Sequence, residues 1–230
     1  MSIKPLPVEA QLLTLSSQYP DAAAFRKTVK PLSRRSRESV VRLWLTEGIP
    51  YAFRNCPALY EAMRGWLGSI LGICPKEITL VGSGRIGFSL APPQYGRMFS
   101  SESDLDLSIV SPSLFDNFSK SFAQWEADYK AGIVQPRDSS ERFFWDENIR
   151  WVPRNFPKGF VDANKIPTWK RYPIAQTVGN AMWLLKRKLE ITEGAPKVRN
   201  TSIRVYNSWR DLVARVSLNL YYALSQHPES

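Results

Sequence analysis

Two carboxylates one residue apart, Asp104 and Asp106 in the run Ser103-Asp-Leu-Asp-Leu107, are the pair in this chain best spaced for chemistry. In a strand, residues i and i+2 project from one face, about 6–7 Å apart by strand rise. Two hard oxygen ligands side by side suit Mg²⁺ or Mn²⁺, which takes carboxylates together with waters and substrate phosphates. Leu105 and Leu107 then point to the opposite face and anchor the strand in a core. Upstream, Leu80-Val81-Gly82-Ser83-Gly84-Arg85 ends an apolar run at a Gly-Ser turn. Gly82 lets the backbone approach a phosphate closely, and Ser83 offers a hydroxyl and an N–H to phosphate oxygens. A helix beginning there adds an anion site at its N-terminus.

The elements that must hold these groups are readable by period. Glu77–Val81 is a short β-branched run, and Asp104–Val110 alternates polar and apolar residues strictly, so both read as strands. Before them come expected helices over 7–18, 22–30 and 34–47, the last capped by Ser33 or Ser36. Another starts after Asn55-Cys56-Pro57, with Leu59, Met63, Trp66, Leu67 and Ile70 at helical spacing. Residues 112–131 read as a helix. The proline-broken stretch 137–173 reads as irregular, with short strands at 142–152 and 159–163. A helix follows over 174–189, a short strand over 202–206, and a last helix through about Leu224. Cys56 and Cys74 are expected to be small buried residues. The result is an α+β chain: an N-terminal helical region (1–75), a core with the carboxylate strand (76–173) and a C-terminal helical region (174–230), together one compact unit.

Composition narrows the function classes. The 230 residues carry 31 basic against 21 acidic side chains, a formal net charge of +10, so polyanionic partners are favoured. Seven cations lie between Arg26 and Arg42, with Arg34, Arg35 and Arg37 expected on an exposed face. Trp145, Trp151, Trp169 and Tyr172, interleaved with Arg and Lys, read either as a stacking surface for bases or as packing. Two cysteines exclude a disulfide framework and a four-thiolate zinc site, and the single His227 makes Ser-His-Asp or Cys-His catalysis improbable. No apolar run reaches 18 residues, and the start Met1-Ser-Ile-Lys-Pro-Leu-Pro lacks the apolar stretch of a secretory signal. A cytoplasmic protein without membrane contact is expected.

Val81-Gly82-Ser83, followed by Asp104-Leu105-Asp106-Leu107, resembles the signature of the DNA polymerase β-like nucleotidyltransferase superfamily, over roughly residues 76–112. That resemblance implies the nucleotidyltransferase fold, with a small mixed sheet flanked by helices. It also implies transfer of a nucleotidyl group from an NTP, with two divalent metals (Mg²⁺ or Mn²⁺) and release of pyrophosphate. Gly82 and Ser83 correspond to the phosphate grip, and Asp104 and Asp106 to metal ligands. The family places a third, catalytic and metal-binding carboxylate on a neighbouring strand. Asp162 is favoured because Gly159-Phe-Val precedes it as a strand would, ahead of Asp146 and Glu147. The loop of twenty residues between Ser83 and Asp104 is longer than usual and brings Arg85 and Arg97 as candidate phosphate contacts; Arg204 is a further one. The acceptor is an RNA end, a protein side chain, a small molecule or a second nucleotide. Small relatives of this kind occur in toxin–antitoxin or phage-defence operons, which implies a protein partner. The alternative is a catalytically inactive subunit of the same fold that binds nucleic acid or a partner protein.

Overall fold

The structure is a computed structural model that describes residues 8–225; residues 1–7 and the tail containing His227 lie outside the described residues. A 3₁₀ turn at Ala10–Thr14 leads to α1 (Ala22–Val29), whose first turn is closed by the Asp21 carboxylate accepting from the Ala24 N–H at 2.8 Å. Ser33 caps α2 (Arg34–Val40), which runs into a π-helical segment, Val41–Thr46, rather than remaining α-helical to residue 47. Gly48, at φ +79°, turns the chain out of it. Next come α3 (Pro57–Leu71), β1 (Ile78–Val81), the single turn α4 (Ser83–Ile86), β2 (Asp104–Val110) and α5 (Pro112–Lys130). After these follow α6 (Ser139–Trp151), β3 (Phe160–Asp162), α7 (Pro173–Ile191), β4 (Asn200–Tyr206) and α8 (Trp209–Ser225).

The strands form one mixed sheet in the order β1-β2-β4-β3. β1 runs antiparallel to β2, β4 parallel to β2, and β3 antiparallel to β4. The middle of the sheet therefore receives a strand from the C-terminal region. Strand alternation divides the residues between two faces. On one face Leu80, Leu105, Leu107, Ile109, Val161, Ile203 and Val205 pack under α3, α5 and α7. Burying a leucine such as Leu105 or Leu107 contributes about 1.5–3 kcal/mol. On the other face only one end is apolar: Val110, Phe160 and Tyr206 pack against Val40, Val41, Leu212 and Leu220. The opposite end of that face carries Asp104, Asp106, Ser202, Arg204 and Asp162, which line a cavity. The fold is thus α+β, with a small mixed sheet and flanking helices.

Three expectations need correction. Residues 142–152 are helical, not a strand. The Asp138 carboxylate accepts from the Glu141 N–H at 2.8 Å and nucleates α6, whose Trp145 is buried while Phe143 and Phe144 face solvent. Of the two readings open for the aromatic residues, packing holds for Trp145 and Tyr172, which belong to the core; Trp145 stacks edge-on against Trp125, Tyr129 and Trp169. Neither cysteine is buried: Cys56 is half-buried and Cys74 exposed. In the basic N-terminal stretch Arg34 is exposed and pairs with Glu38, whereas Arg37 donates to the Leu32 carbonyl and lies 5.1 Å over the Tyr221 ring, so it ties α2 to α8.

One polar cluster locks the far side of the core. Asp128, 2% exposed, accepts from Arg171 Nε at 2.6 Å and Nη2 at 3.1 Å, from the Tyr172 hydroxyl at 3.0 Å and from Gln124 at 2.9 Å. Arg171, with the other two donors, holds the Asp128 carboxyl down at about 2, against an ordinary 3.8. A carboxyl depressed in the folded state stabilises the fold above its unfolded pKa and loses that contribution as pH falls through the folded one. This contribution is accordingly complete above about pH 4 and disappears towards pH 2. Asp128→Asn is expected to melt below the wild type at pH 7, with the two curves converging near pH 2. Melting temperature against pH checks this; parallel curves would show that the cluster does not govern the acid limb.

Candidate active site

The open end of the sheet face borders a cavity of about 580 Å³. Gly82 and Ser83 line it from the β1–α4 turn, Asp104 and Asp106 from β2, Ser202 and Arg204 from β4, and Asp162 from β3. The turn is local in origin. Gly82 sits at φ +66°, ψ −152°, a conformation open to glycine alone, and a Cβ there would lie 3.2 Å from Asp106 Oδ2. Residues Gly82 and Asp106 are brought close because Val81 pairs with Asp106 across the β1–β2 ladder. The Ser83 and Gly84 N–H groups, in the first turn of α4, have no partner within the helix. With four residues, α4 is too short to add much of a macrodipole, so the groups this turn could offer to an anion are these backbone N–H groups and the Ser83 hydroxyl.

The charges on this face are largely paired off. Arg199 donates to Asp104 through Nε at 3.1 Å and Nη2 at 2.7 Å. Arg204 Nε donates to Asp162 Oδ1 at 2.6 Å. Asp106 accepts from the Ser202 hydroxyl, at 2.7 Å from Oδ1. Burial pushes the Asp106 carboxyl up and the Asp104 and Asp162 carboxylates add to this, opposed by the Ser202 hydroxyl and Arg204. A recessed carboxylate with one neutral donor, beside a second carboxylate, is short of positive charge. Asp104 and Asp106 therefore fit a divalent cation that completes its shell with waters and phosphate oxygens. No group of three acid, His or Cys side chains suited to a metal occurs among the described residues.

The third carboxylate differs from the family pattern. Neither strand adjacent to β2 bears an acid: opposite Asp106 stand Ser202 on β4 and Val81 on β1. Asp162 does enter the same cavity, but from the edge strand, two strands away, or about 10 Å by strand spacing. Its register partner is Arg204, which pairs in turn with Ser108 rather than with Asp106. Asp146 and Glu147 lie on α6 and are engaged elsewhere: Asp146 accepts from Tyr129 at 2.9 Å and Glu147 from the Trp151 indole at 2.9 Å.

Arg85, expected at the phosphates, is instead 1% exposed. The α4 turn directs it beneath the site, where Nη1 donates to the Ile49 carbonyl at 2.7 Å. Burial pulls its pKa down, with Tyr19, Tyr60 and Glu47 opposing. It is a clamp between α4 and the segment after the π-helix. Arg97 and Arg204 do line the cavity. The long connection is itself structured: the Ser89 N–H donates to the Arg97 carbonyl at 2.8 Å and the Gly96 N–H to the Ser89 carbonyl at 2.9 Å. The Tyr95 hydroxyl ties it to the Ala22 carbonyl at 3.0 Å. It lines the cavity together with Asn219 and Tyr222 of α8.

Arg199, Ser202, Asn219 and Tyr222 were not singled out as site residues by sequence. The alternation Ser202, Arg204, Tyr206 was the available signal for Ser202. Nothing local marks Arg199, which meets Asp104 only because β4 lies beside β2. Comparisons with protein-family models, curated proteins and solved structures yield no match. No helix among the described residues is long and apolar enough to cross a membrane.

Proposed function

We propose that this chain is a metal-dependent nucleotidyltransferase that moves a nucleotidyl group from an NTP to an acceptor hydroxyl. The observation that carries the reading is the meeting of Gly82 and Ser83 with Asp104 and Asp106 at one cavity, from segments twenty residues apart. Asp104 and Asp106 hold Mg²⁺ or Mn²⁺, which when bound supplies charge stabilisation at the reacting phosphate. Backbone N–H groups at Ser83 and Gly84 and the Ser83 hydroxyl grip the terminal phosphates. Arg97 and Arg204 add positive charge along the triphosphate, and Arg199 holds Asp104 in place until the nucleotide arrives. Asp162, at the far wall, takes the proton of the acceptor hydroxyl as it attacks the α-phosphorus, and pyrophosphate departs.

A second reading, nucleotide binding without turnover, is favoured by one observation: Ser202 stands beside Asp106 where the family carries its third acid. One experiment separates the two. The protein is incubated with Mg²⁺, each labelled NTP and bulk RNA, and thermal shift, label transfer and pyrophosphate are measured together. The transferase reading expects all three. A thermal shift with no pyrophosphate from any NTP or acceptor supports the second reading. Within the first, Asp162→Asn is expected to keep the Mg²⁺–NTP thermal shift while lowering transfer about 10²–10⁴-fold, the usual contribution of a general base. Unchanged transfer in that variant removes Asp162 from the mechanism.

A further inference from the structure

A second cavity, of about 720 Å³, lies on the other side of β3 and β4 and shares Asp162, Ser202 and Arg204 with the first. Its outer wall is one face of α7. Lys186 and Arg187 lie three and four residues after Trp183, and Glu190 lies four and three after them, so the four share one side of α7. Trp183 is 61% exposed, unusual for a side chain of this size. The Arg187 guanidinium lies 5.7 Å from the Trp183 ring centroid and pairs with Glu190 at 2.9 Å. Lys165, from the segment after β3, adds a cation from the opposite wall. Gly179 lets the Thr168 side chain press directly on α7, which holds that opposite wall in place.

An exposed indole flanked by cations is the combination that binds single-stranded nucleic acid, because every base has a π-face and every nucleotide a phosphate. An acidic peptide would use the cations and leave Trp183 idle. The walls shared with the first cavity give the direction of the strand. We propose that this second cavity holds single-stranded nucleic acid, with a base stacked on Trp183 and phosphates on Lys165, Lys186 and Arg187, so that the strand's end reaches Asp162. The role of that end as acceptor rests on the nucleotidyltransferase reading; binding of the strand does not.

The test uses the full-length chain with fluorescent 12-nucleotide oligo(U) and oligo(dT), titrated over a range of salt, and with Mg²⁺–NTP thermal shift in parallel. Trp183→Ala is expected to weaken binding about tenfold or more, and Trp183→Phe to retain most of it, since a phenyl ring still stacks. Lys186→Gln/Arg187→Gln is expected to lower the slope of log affinity against log salt by roughly 0.7 for each phosphate that is no longer neutralised. The Mg²⁺–NTP shift stays at the wild-type value in all of them. Wild-type affinity and slope in the α7 variants overturn the proposal. So does the absence of wild-type binding at low salt, or displacement by polyglutamate as effective as by oligonucleotide. Oligonucleotide binding through Trp183, without any Mg²⁺–NTP shift in the wild type, upholds this site and removes the nucleotidyltransferase reading instead.

Discussion

Asp106→Ala is expected to abolish Mg²⁺-dependent NTP binding and nucleotidyl transfer while leaving the metal-free protein folded. Among the described residues Asp104 and Asp162 each hold an ion pair with an arginine, whereas Asp106 accepts a hydrogen bond from the neutral Ser202 hydroxyl and feels Arg204 at longer range, so its charge most requires the metal in the proposed mechanism. Loss of a residue that merely orients a ligand costs about 10–100-fold in metal affinity, so loss of a direct ligand is expected to exceed about 100-fold. The metal-free melting temperature should hold or rise. The substitution removes a carboxylate that burial and two neighbouring carboxylates disfavour, at the expense of one hydrogen bond from Ser202. Asp104→Ala should show the same functional loss. Its partner Arg199 is mostly solvent-exposed, so breaking that pair costs little stability. Thermal shift with and without Mg²⁺–NTP, together with pyrophosphate release, measures both effects. Near-wild-type transfer in the two variants would sink the catalytic assignment.

Gly82→Val should be the most damaging change in the turn proposed to hold phosphate. Its φ of +66° with ψ −152° excludes side chains, which adds strain of about 1–3 kcal/mol, or several degrees of melting temperature in a chain of this size. A Cβ placed 3.2 Å from Asp106 Oδ2 crowds the carboxylate before the valine methyls are counted. Ser83→Ala removes one hydrogen-bonding group and should cost about 1–2 kcal/mol of nucleotide affinity with little change in stability. The distinguishing measurement is an NTP titration of the folded fraction of each variant. Equal affinity in wild type and Gly82→Val would mean that phosphate binds elsewhere.

Local signals account for where the reading from sequence succeeded and failed. Strict alternation over Asp104–Val110 assigned each residue of β2 to a face, since a strand has no other way to bury three apolar side chains. The α6 segment went the other way. Arg142-Phe-Phe-Trp is rich in residues that favour strands, but the Asp138 cap and the burial of Trp145 made it helical. For Arg85, proximity in sequence to Ser83 suggested a phosphate contact. One turn of helix was enough to carry its side chain to the opposite side of the backbone, into the core.

By itself, then, the sequence determined the chemistry of two short pieces. Gly82 and Ser83 form a turn only glycine permits, and Asp104 and Asp106 share a face because strand geometry allows nothing else. Strand order was decided by the tertiary structure alone. β4 is ninety residues or more downstream of β2, yet it inserts between β2 and β3. That insertion sets Ser202 beside Asp106, gives Asp104 its Arg199 and moves Asp162 to the edge behind Arg204. The physical reason is that non-local pairing is selected by burial of whole faces. β4 has apolar residues, Thr201 aside, on the side that meets α7, and the middle of the sheet is the position that covers them on both flanks. No window of neighbouring residues contains that choice.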